Sequence, residues 1–340
     1  MTATAGPGHR LVDRLSGVPA GAYVLLAMVV GLSAFAPRFL DATNLTNVSR
    51  VAAVLALAAC GQAVVVLVGG IDLSVGSSVA LMSVVVVLNI DRGTVVAMTM
   101  GVAATVTVGA VNGLLVSRFD LPPFLVTLGT LTGLHGLASV LVGGIPVEAP
   151  PGGSFSWPSS GSIGPFPVPV VLAVAGFGVL ALLLRGTVLG RTWFLIGANR
   201  RAAAAAGVHV RRSIFFAYVV GALFVAVAGV LLTSRVHSGQ PNLFPSLPFE
   251  AIAACAIGGQ PLTGGVAGAT RVLIGVLVVA LADNGVQLLD LSSSVQLITI
   301  GALTVLAVLA QRMPVRRRPT GRAAPTGQPA TDGATLEPAP

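Results

Sequence analysis

Nine long apolar runs follow one another along the chain, and they restrict its folding more than any other feature. Each is about as long as the roughly 20 residues that an α-helix needs to cross a bilayer. The runs lie near residues 18–36, 48–68, 74–90, 94–116, 124–142, 168–184, 213–232, 272–289 and 294–311. A shorter apolar piece, FEAIAACAI, occupies residues 249–257. Because the bilayer core offers backbone groups no hydrogen-bond partners, we expect helices, and therefore an all-α polytopic membrane protein.

The composition agrees with a chain that lies mostly in lipid. Only 9% of its residues are charged, whereas soluble domains carry about 25%. The first apolar run lacks a small-residue cleavage site and is followed by many more, so we interpret it as a retained helix and not as a signal peptide. Cys60 and Cys255 fall inside apolar segments and are interpreted as small core residues. The sequence predicts a multi-pass protein of the bacterial cytoplasmic membrane.

The arginines predict how the chain is oriented, because positive charge accumulates in cytoplasmic loops. With the amino terminus inside, fifteen arginines fall on the cytoplasmic side and four on the other. The cytoplasmic set is Arg10, Arg14, Arg118, Arg185, Arg191, Arg200, Arg201, Arg211, Arg212, Arg271, Arg312, Arg316, Arg317, Arg318 and Arg322. The external set is Arg38, Arg50, Arg92 and Arg235. Both termini are therefore expected in the cytoplasm, and the net charge of +8 requires no nucleic-acid partner.

Two termini on one side require an even number of crossings, so we count the short apolar piece as the tenth. Nine residues of helix rise only about 13 Å, which is too short to span the membrane unaided. We therefore expect residues 245–262 to form a broken or partly unwound crossing. The alternative is a re-entrant piece that dips into the membrane and returns. That alternative would place the carboxyl-terminal arginines outside, against the charge rule.

The chain divides into a cytoplasmic segment 1–17, a transmembrane domain 18–312 and a disordered cytoplasmic tail 313–340. An external loop at 143–167 is rich in Gly, Pro and Ser, and it is either a flexible connector or a docking surface with Phe155, Trp157 and Phe166 as candidate contacts. A cytoplasmic loop at 185–212 contains RRAAAAAG, in which strong helix formers end at a glycine. This pattern predicts a short surface helix.

No set of residues supports enzymatic chemistry. The chain has no lysine, so neither a Walker A nucleotide-binding loop nor a lysine Schiff base can be written. The four histidines are dispersed, no His/Cys/Asp spacing suits a metal, and no Gly-x-Ser-x-Gly sequence occurs. We expect no cofactor and no metal. If ATP drives this protein, another polypeptide must bind it.

Two glycine-rich motifs repeat each other weakly. GGIDLSVG at 69–76 and GGQPLTGG at 258–265 share Gly-Gly-x-x-Leu-Ser/Thr-x-Gly, and the predicted topology puts both near cytoplasmic helix ends. Transporters often carry glycine-broken segments at matching positions of their two halves. We therefore expect a break in the helical structure at each motif.

Acids and amides also lie at membrane depth, where a charge costs about 2.5–3.5 kcal/mol on insertion scales. They could hydrogen-bond a polyhydroxylated solute or pair across helices. For Asp72 the alternatives are a cap at a helix start and direct contact with solute. For the amides, the alternative to the pathway is hydrogen bonding between helices at glycine-lined interfaces. The candidate pathway or structural residues are Gly69, Gly70, Asp72, Ser74, Asn112, Glu250, Gly258, Gly259, Asn284 and Gln287, with Gln62 and Asp283 as further polar residues at membrane depth.

Five motifs occur in an order that resembles a known family. They are GGIDLSVGSSVAL (69–81), GRTWFLIGANRRAAAAAGVHV (190–210), SGQPNL (238–243), FEAIAACAIGGQPLTGG (249–265) and DNGVQLL (283–289). Over roughly residues 20–312 the chain resembles the membrane-spanning permease subunit of the ribose/xylose/galactose type of ABC sugar importer. The resemblance implies import of a pentose or hexose by a homodimer or pair of permeases. It also implies a separate cytoplasmic ATP-binding subunit and an extracytoplasmic sugar-binding protein as partners.

The resemblance further implies that residues 190–210 contain the short helix that enters a groove in the ATPase. The positions that match the family pattern are Gly190, Arg191, Gly197, Asn199, Ala202, Ala203 and Gly207. The chain departs from the pattern at Arg200 and Arg201, where the family usually has a proline or acid followed by Glu, and at Val266, where it usually has Arg. The two arginines imply an ATPase with a more acidic groove.

Two other functions remain open from the sequence. An autonomous secondary carrier or channel for a small polar solute is disfavoured because most acids lie near helix ends and not deep in the bundle. A related ABC permease for amino acids or nucleosides differs only in its substrate.

Overall fold

The computed structural model describes residues 20–150 and 154–312, so the predicted amino-terminal segment 1–17 and tail 313–340 lie outside the described residues. The described part is almost entirely helical. Its α-helices are α1 Ala20–Phe35, α2 Ala42–Leu67, α3 Val75–Leu88, α4 Thr94–Arg118, α5 Pro123–Leu141, α6 Trp157–Ser160, α7 Val168–Gly186, α8 Val188–Ala198, α9 Arg200–Ala205, α10 Val210–Val236, α11 Leu247–Ile257, α12 Ala269–Leu288 and α13 Ser293–Arg312. Short 3₁₀ turns occupy Ile90–Arg92 and Ser154–Ser156. The predicted all-α polytopic class is confirmed.

Six helices in the described part are long and apolar enough to cross a membrane, namely α2, α4, α5, α7, α10 and α12. Shorter apolar stretches cover residues 21–35, 75–88, 188–198, 247–257 and 294–309. Every predicted apolar run corresponds to one of these helices. The short helix expected within 245–262 is α11, and it is followed by non-helical backbone as far as Gly268.

The structure contains a second short helix that the sequence does not predict. The run 74–90 looks long enough to span, yet α3 has 14 residues and rises only about 21 Å. It begins late because residues 68–74 are not helical, and it ends at Leu88, just before a 3₁₀ turn. Each glycine-rich motif is therefore next to a short helix, with α3 after the first motif and α11 before the second.

Helix α2 lies at the centre of the bundle. Every residue from Ala53 to Leu67 is buried, and the helix packs against α7, α10, α11 and α12. Glycine allows the closest approach, because a Cβ on Gly61 would lie 2.5 Å from the carbonyl oxygen of Gly221 in α10. Small residues at helix interfaces are the usual way for membrane helices to gain packing contact. Helix α2 thus forms the packing centre for these four helices.

The predicted external loop is partly structured. Its strand β1 (Val147–Glu148) pairs antiparallel with β4 (Ser238–Gly239), and β2 (Ser162–Ile163) pairs with β3 (Phe166–Pro167). The Phe155 ring is buried and stacks edge-on against His237, so Phe155 is not available as a docking contact. Trp157 and Phe166 remain exposed.

The predicted loop at 185–212 contains two helices instead of one. The expected short helix is α9, which begins with the Ala202 amide donating to Asn199 Oδ1 at 3.0 Å and is followed by Gly207 at φ +81°. Helix α8 is an addition that the sequence does not predict. It is held by Trp193, whose fully buried ring donates from Nε1 to the carbonyl of Ser213 at 2.9 Å.

Candidate functional site

The two glycine-rich motifs and the predicted coupling loop meet at one end of the bundle. The amide of Gly265 donates to the carbonyl of Leu67, at the end of α2, at 3.0 Å. A Cβ on Gly197 of α8 would collide with both of these groups. A Cβ on Gly264 would lie 2.8 Å from the amide nitrogen of Gly69. We call this contact of residues 67–70, 197 and 264–265 the motif junction.

Glycine is required in the repeated pairs for two reasons. Gly69 and Gly259 have φ values of +78° and +84°, a left-handed conformation that side chains other than glycine rarely adopt. A Cβ on Gly70 or Gly258 would press against neighbouring groups, in the second case the carbonyl of Arg271. The pairs therefore reverse the chain tightly after α2 and α11.

The predicted coupling residues form a compact unit on the junction side. Gly190 allows the sharp bend between α7 and α8, because a Cβ there would meet the carbonyl oxygens of Leu183 and Leu184. Ala203 is the buried residue of α9, whereas Arg191 and Ala202 are exposed. Ala203 packs in a cluster with Val65, Val116, Val126, Ile196, Ile214 and Tyr218. The unit thus has an inner face that is packed against the bundle and an exposed outer face.

One of the two unusual arginines has a partner within the chain. Arg200 Nη2 lies 2.7 Å from Asp120 Oδ1, in the turn between α4 and α5, and Arg211 Nη2 lies 3.6 Å from the other carboxylate oxygen. These groups are about half exposed, so the ion pairs contribute at most about 1 kcal/mol of stability. Arg200 therefore already has an acidic partner within the chain. The more acidic ATPase groove that Arg200 and Arg201 imply stays a prediction.

Asp72 begins a chain of hydrogen bonds that joins three helices. Its Oδ1 accepts from the Ser74 amide at 2.8 Å and from the Ser74 hydroxyl at 2.6 Å. Asn112 of α4 donates to the Ser74 hydroxyl at 2.9 Å, and Thr130 of α5 donates to Asn112 Oδ1 at 2.6 Å. Asp72, Ser74 and Asn112 are all buried. The carboxylate therefore accepts from Ser74, the residue before α3, and not from an amide of α3 itself, so it acts as a cap on the turn that leads into the helix.

The buried side-chain amide of Gln62 supplies hydrogen bonds to the backbone of the first motif. From the sequence, Gln62 is only a further polar residue at membrane depth. With its amide oriented to suit its neighbours, Gln62 donates to the Asp72 carbonyl at 3.1 Å and accepts from the Asp72 amide at 3.2 Å. Near the second motif, Gln260 donates to the carbonyl of Ala63 at 2.7 Å. Gln62 therefore compensates for lost helical hydrogen bonds at the first break, and Gln260 ties the second break to α2.

A polar cavity of about 260 Å³ lies at the end of the bundle away from the motif junction, where α2 begins and α12 ends. Asn44 and Asn284 hydrogen-bond each other reciprocally at 3.1 and 2.9 Å and join the two helices. The cavity is lined by Asn44, Asn47, Val48, Val51, Ala52, Leu55, Arg235, Glu250, Ala280, Asp283, Asn284 and Gln287. The sequence-predicted residues therefore divide into two groups, one at the motif junction and α3 and the other at this cavity.

Several residues of the cavity and of the hydrogen-bond and ion-pair contacts are not predicted from the sequence. Asn44 and Asn47 recur with Val48 and Val51 at helical spacing, a signal that could have predicted a polar face at the start of α2. Asp120 and Thr130 offered no such signal. Their partners Arg200 and Asn112 are 80 and 18 residues away in sequence, so only the folded packing brings them together.

A substitution series at Asp72 tests the capping geometry. A cap requires an acceptor oxygen but no charge, so Asp72→Asn should keep most of the thermal stability of the detergent-purified protein. Asp72→Ala leaves the buried Ser74 amide and hydroxyl without their acceptor, which costs about 1–3 kcal/mol per group and should lower the melting temperature by several degrees. Thr132→Val is the control, since that exposed hydroxyl donates only within α5. Equal melting temperatures for Asp72→Ala and the unmodified protein would exclude the cap.

Known proteins resemble the chain over most of its length. A family described as "Branched-chain amino acid transport system / permease component" matches residues 44–308. Ribose import permease protein RbsC of Bacillus subtilis (strain 168) is 38% identical over 291 residues, which are 85% of this chain and 90% of that protein. Ribose import permease protein RbsC of Escherichia coli (strain K12) is 32% identical over 292 residues, with 84% and 90% covered.

A third relative belongs to another sugar system. L-arabinose transport system permease protein AraH of Escherichia coli (strain K12) is 30% identical over 291 residues, which are 85% of this chain and 88% of that protein. No solved structure matches the chain significantly. With its apolar helices, the chain is a multi-pass protein of the bacterial cytoplasmic membrane. It belongs to this family of transport permease components, and its predicted membership of the ribose-type ABC importer permeases is confirmed.

Proposed function

We propose that the chain carries a pentose or hexose into the cell as the permease subunit of an ABC importer. The supporting observation is its 38% identity, across 85% of its length, to a protein named as a ribose import permease. The family description names branched-chain amino acids, but the curated relatives reported above are named for ribose and arabinose. We therefore favour a sugar as the substrate.

We infer that the motif junction faces the cytoplasm and the polar cavity faces outside. Nine arginines of the described residues belong to segments on the junction side and four to the other side, which agrees with the positive-inside rule. The four are Arg38, Arg50, Arg92 and Arg235. In this orientation the chain makes about ten crossings with both termini in the cytoplasm, and α3 and α11 are short crossings completed by non-helical backbone.

We propose that ATP is bound by a separate cytoplasmic subunit and that this chain catalyses no reaction and needs no cofactor. The 340-residue sequence has no lysine for a Walker A loop. On the outside, the β1–β4 pair holds the 143–167 loop to the end of α10, and the exposed Trp157 and Phe166 offer contacts for a sugar-binding protein. The functional unit would be a homodimer or a pair of permeases.

We propose that α8 and α9 are the coupling segment. The exposed side of α9, including Arg201 and Ala202, would meet the ATPase. Its inner side is fixed to the bundle by Ala203, and Gly197 of α8 touches the motif junction directly. Movement of the ATPase would therefore displace α8 and α9 together and reach both helix breaks. Such coupling requires two states of the bundle that the nucleotide biases, as in alternating access.

We propose different roles for the two groups of polar residues. Asp72, Ser74 and Asn112 satisfy one another, so we assign them to holding α3 in place. Glu250, Asn284 and Gln287 line the cavity at the outer side, so they are the better candidates for the pathway.

Reconstitution tests the proposed function. Proteoliposomes containing this chain, its ATPase and a sugar-loaded binding protein should accumulate labelled sugar only when ATP is supplied. A panel of ribose, xylose, arabinose, galactose and leucine identifies the substrate. Uptake by the chain alone would make it an autonomous carrier or channel, and uptake of leucine without any sugar would refute the substrate class.

A bulky residue inside the coupling segment should uncouple hydrolysis from transport. Ala203→Leu overpacks the contact between α9 and the bundle at a cost of about 1–3 kcal/mol. Since 1.4 kcal/mol corresponds to a factor of ten, this cost corresponds to roughly five- to 150-fold, and we expect the ratio of sugar transported to ATP hydrolysed to fall about fivefold or more. Gly197→Leu should act in the same direction. The matched control is Ala175→Leu on the exposed side of α7. An unchanged ratio in Ala203→Leu would contradict the assignment.

A further inference from the structure

Two buried carboxylates in the polar cavity have unsatisfied oxygens. Glu250 is 1% exposed and Asp283 is 7% exposed. Within the described residues, both oxygens of Glu250 and Oδ1 of Asp283 have no hydrogen-bond partner. Ser246 and Gln296 approach Glu250 and Asp283 as hydrogen-bond donors, but neither reaches these three oxygens with full hydrogen-bond geometry. Buried carboxylate oxygens without partners are costly, so these three are available to accept from a ligand.

Two helix faces form most of the cavity around the carboxylates, and Arg235 of α10 and Glu250 of α11 complete its lining. Asn44, Asn47, Val48 and Val51 follow one face of α2, and Asp283, Asn284 and Gln287 follow one face of α12. The reciprocal Asn44–Asn284 hydrogen bonds hold the two faces together. The walls are therefore positioned by interactions that leave Glu250 and Asp283 free to accept.

We propose that this cavity binds the hydroxyl groups of the monosaccharide as it enters the permease. The proposal rests on the proposed sugar transport. Hydroxyl groups are donors, and the unsatisfied oxygens of Glu250 and Asp283 are acceptors. Gln287 and Arg235 offer amide and guanidinium donors to the oxygens of a sugar, and Val48 and Val51 offer an apolar surface to its C–H groups. The volume of about 260 Å³ lies just below the usual range for drug-sized ligands, as suits a smaller molecule.

The charges of the lining favour a neutral polyhydroxylated ligand. An anion would be repelled by two carboxylates. A metal cation would be attracted by them but opposed by Arg235, which lines the same cavity. Glu250 also borders a second cavity of about 380 Å³ between α11 and α13, but apart from Glu250 that space is lined mainly by apolar side chains such as Phe249, Ile252 and Leu297. Of these two cavities in the described part of the chain, the first alone brings together acceptors and donors that suit a sugar.

The test compares Glu250→Gln and Asp283→Asn with the unmodified chain in the reconstituted importer. Both changes keep the size of the side chain and remove part of its acceptor capacity. We expect each to lower the maximal uptake rate at saturating loaded binding protein by tenfold or more. The matched control is Asp290→Asn, an exposed acid beyond α12 whose φ of +51° asparagine tolerates, and it should retain the unmodified rate.

A ratio of rates separates recognition from damage to the fold. Uptake of ribose is compared with uptake of 2-deoxyribose, which lacks one hydroxyl, and the ratio does not depend on the folded fraction. We expect the ratio to shift at least threefold in Glu250→Gln or in Asp283→Asn and to stay constant in Asp290→Asn. The ratio for each variant is expressed relative to that of the unmodified chain, so the preference of the binding protein cancels.

Each remaining outcome has a definite meaning. If the unmodified importer transports sugar and both variants keep its rate and ratio, the cavity proposal is overturned while the proposed function stands. Reduced rates with an unchanged ratio would assign the carboxylates a structural role and overturn it as well. Uptake that requires sodium and fails in potassium or choline would assign the cavity to a cation. If the unmodified importer moves no sugar, the proposed function itself fails.

Discussion

The bilayer core supplies no water, so the backbone groups exposed where a membrane helix breaks must find partners inside the protein. This chain breaks its helices at residues 68–74 and 258–268 and uses each break to satisfy the other. The Gly265 amide donates to the Leu67 carbonyl. The Gln62 side chain bonds the backbone carbonyl and amide of Asp72, and the Gln260 side chain donates to the Ala63 carbonyl. The glycines at these points allow the two segments to touch. Four further helices, α7, α10, α11 and α12, pack against α2, which carries this contact at its end.

The same contact gives the structure a connection between its two ends. Helix α11 carries Glu250 in its first turn and leads into the second motif, and α2 runs from Asn44 at the cavity to Leu67 at the motif junction. The rise from Asn44 to Leu67 is about 35 Å, the length of a full membrane crossing. Helix α8 touches the junction at Gly197. We therefore expect a displacement of the proposed coupling segment to act on the helices that form the cavity.

The sequence predicts the elements well because the apolar runs are a local signal. It predicts α9 from its alanines and Gly207, and α11 from its length. It does not predict α8, because an 11-residue apolar stretch between arginines resembles a loop. It also does not predict how short α3 is, because the start of that helix depends on Asp72 and Ser74. The contact between the repeated motifs and the pairing of Arg200 with Asp120 join residues that are far apart in the chain. Such contacts are decided by tertiary packing, which spacing does not reveal.

The central claim is that the cavity opens to the outside and the coupling segment faces the cytoplasm. Labelling with a membrane-impermeant maleimide tests it directly, because the native Cys60 and Cys255 are fully buried and give little background. The chain is expressed without its partners, and spheroplasts of these cells are labelled. One variant carries Ser292→Cys and the other Ala204→Cys, both at exposed positions. We predict that Ser292→Cys is labelled in intact spheroplasts and Ala204→Cys only after permeabilisation. The reverse pattern would contradict the orientation and with it the proposed direction of transport.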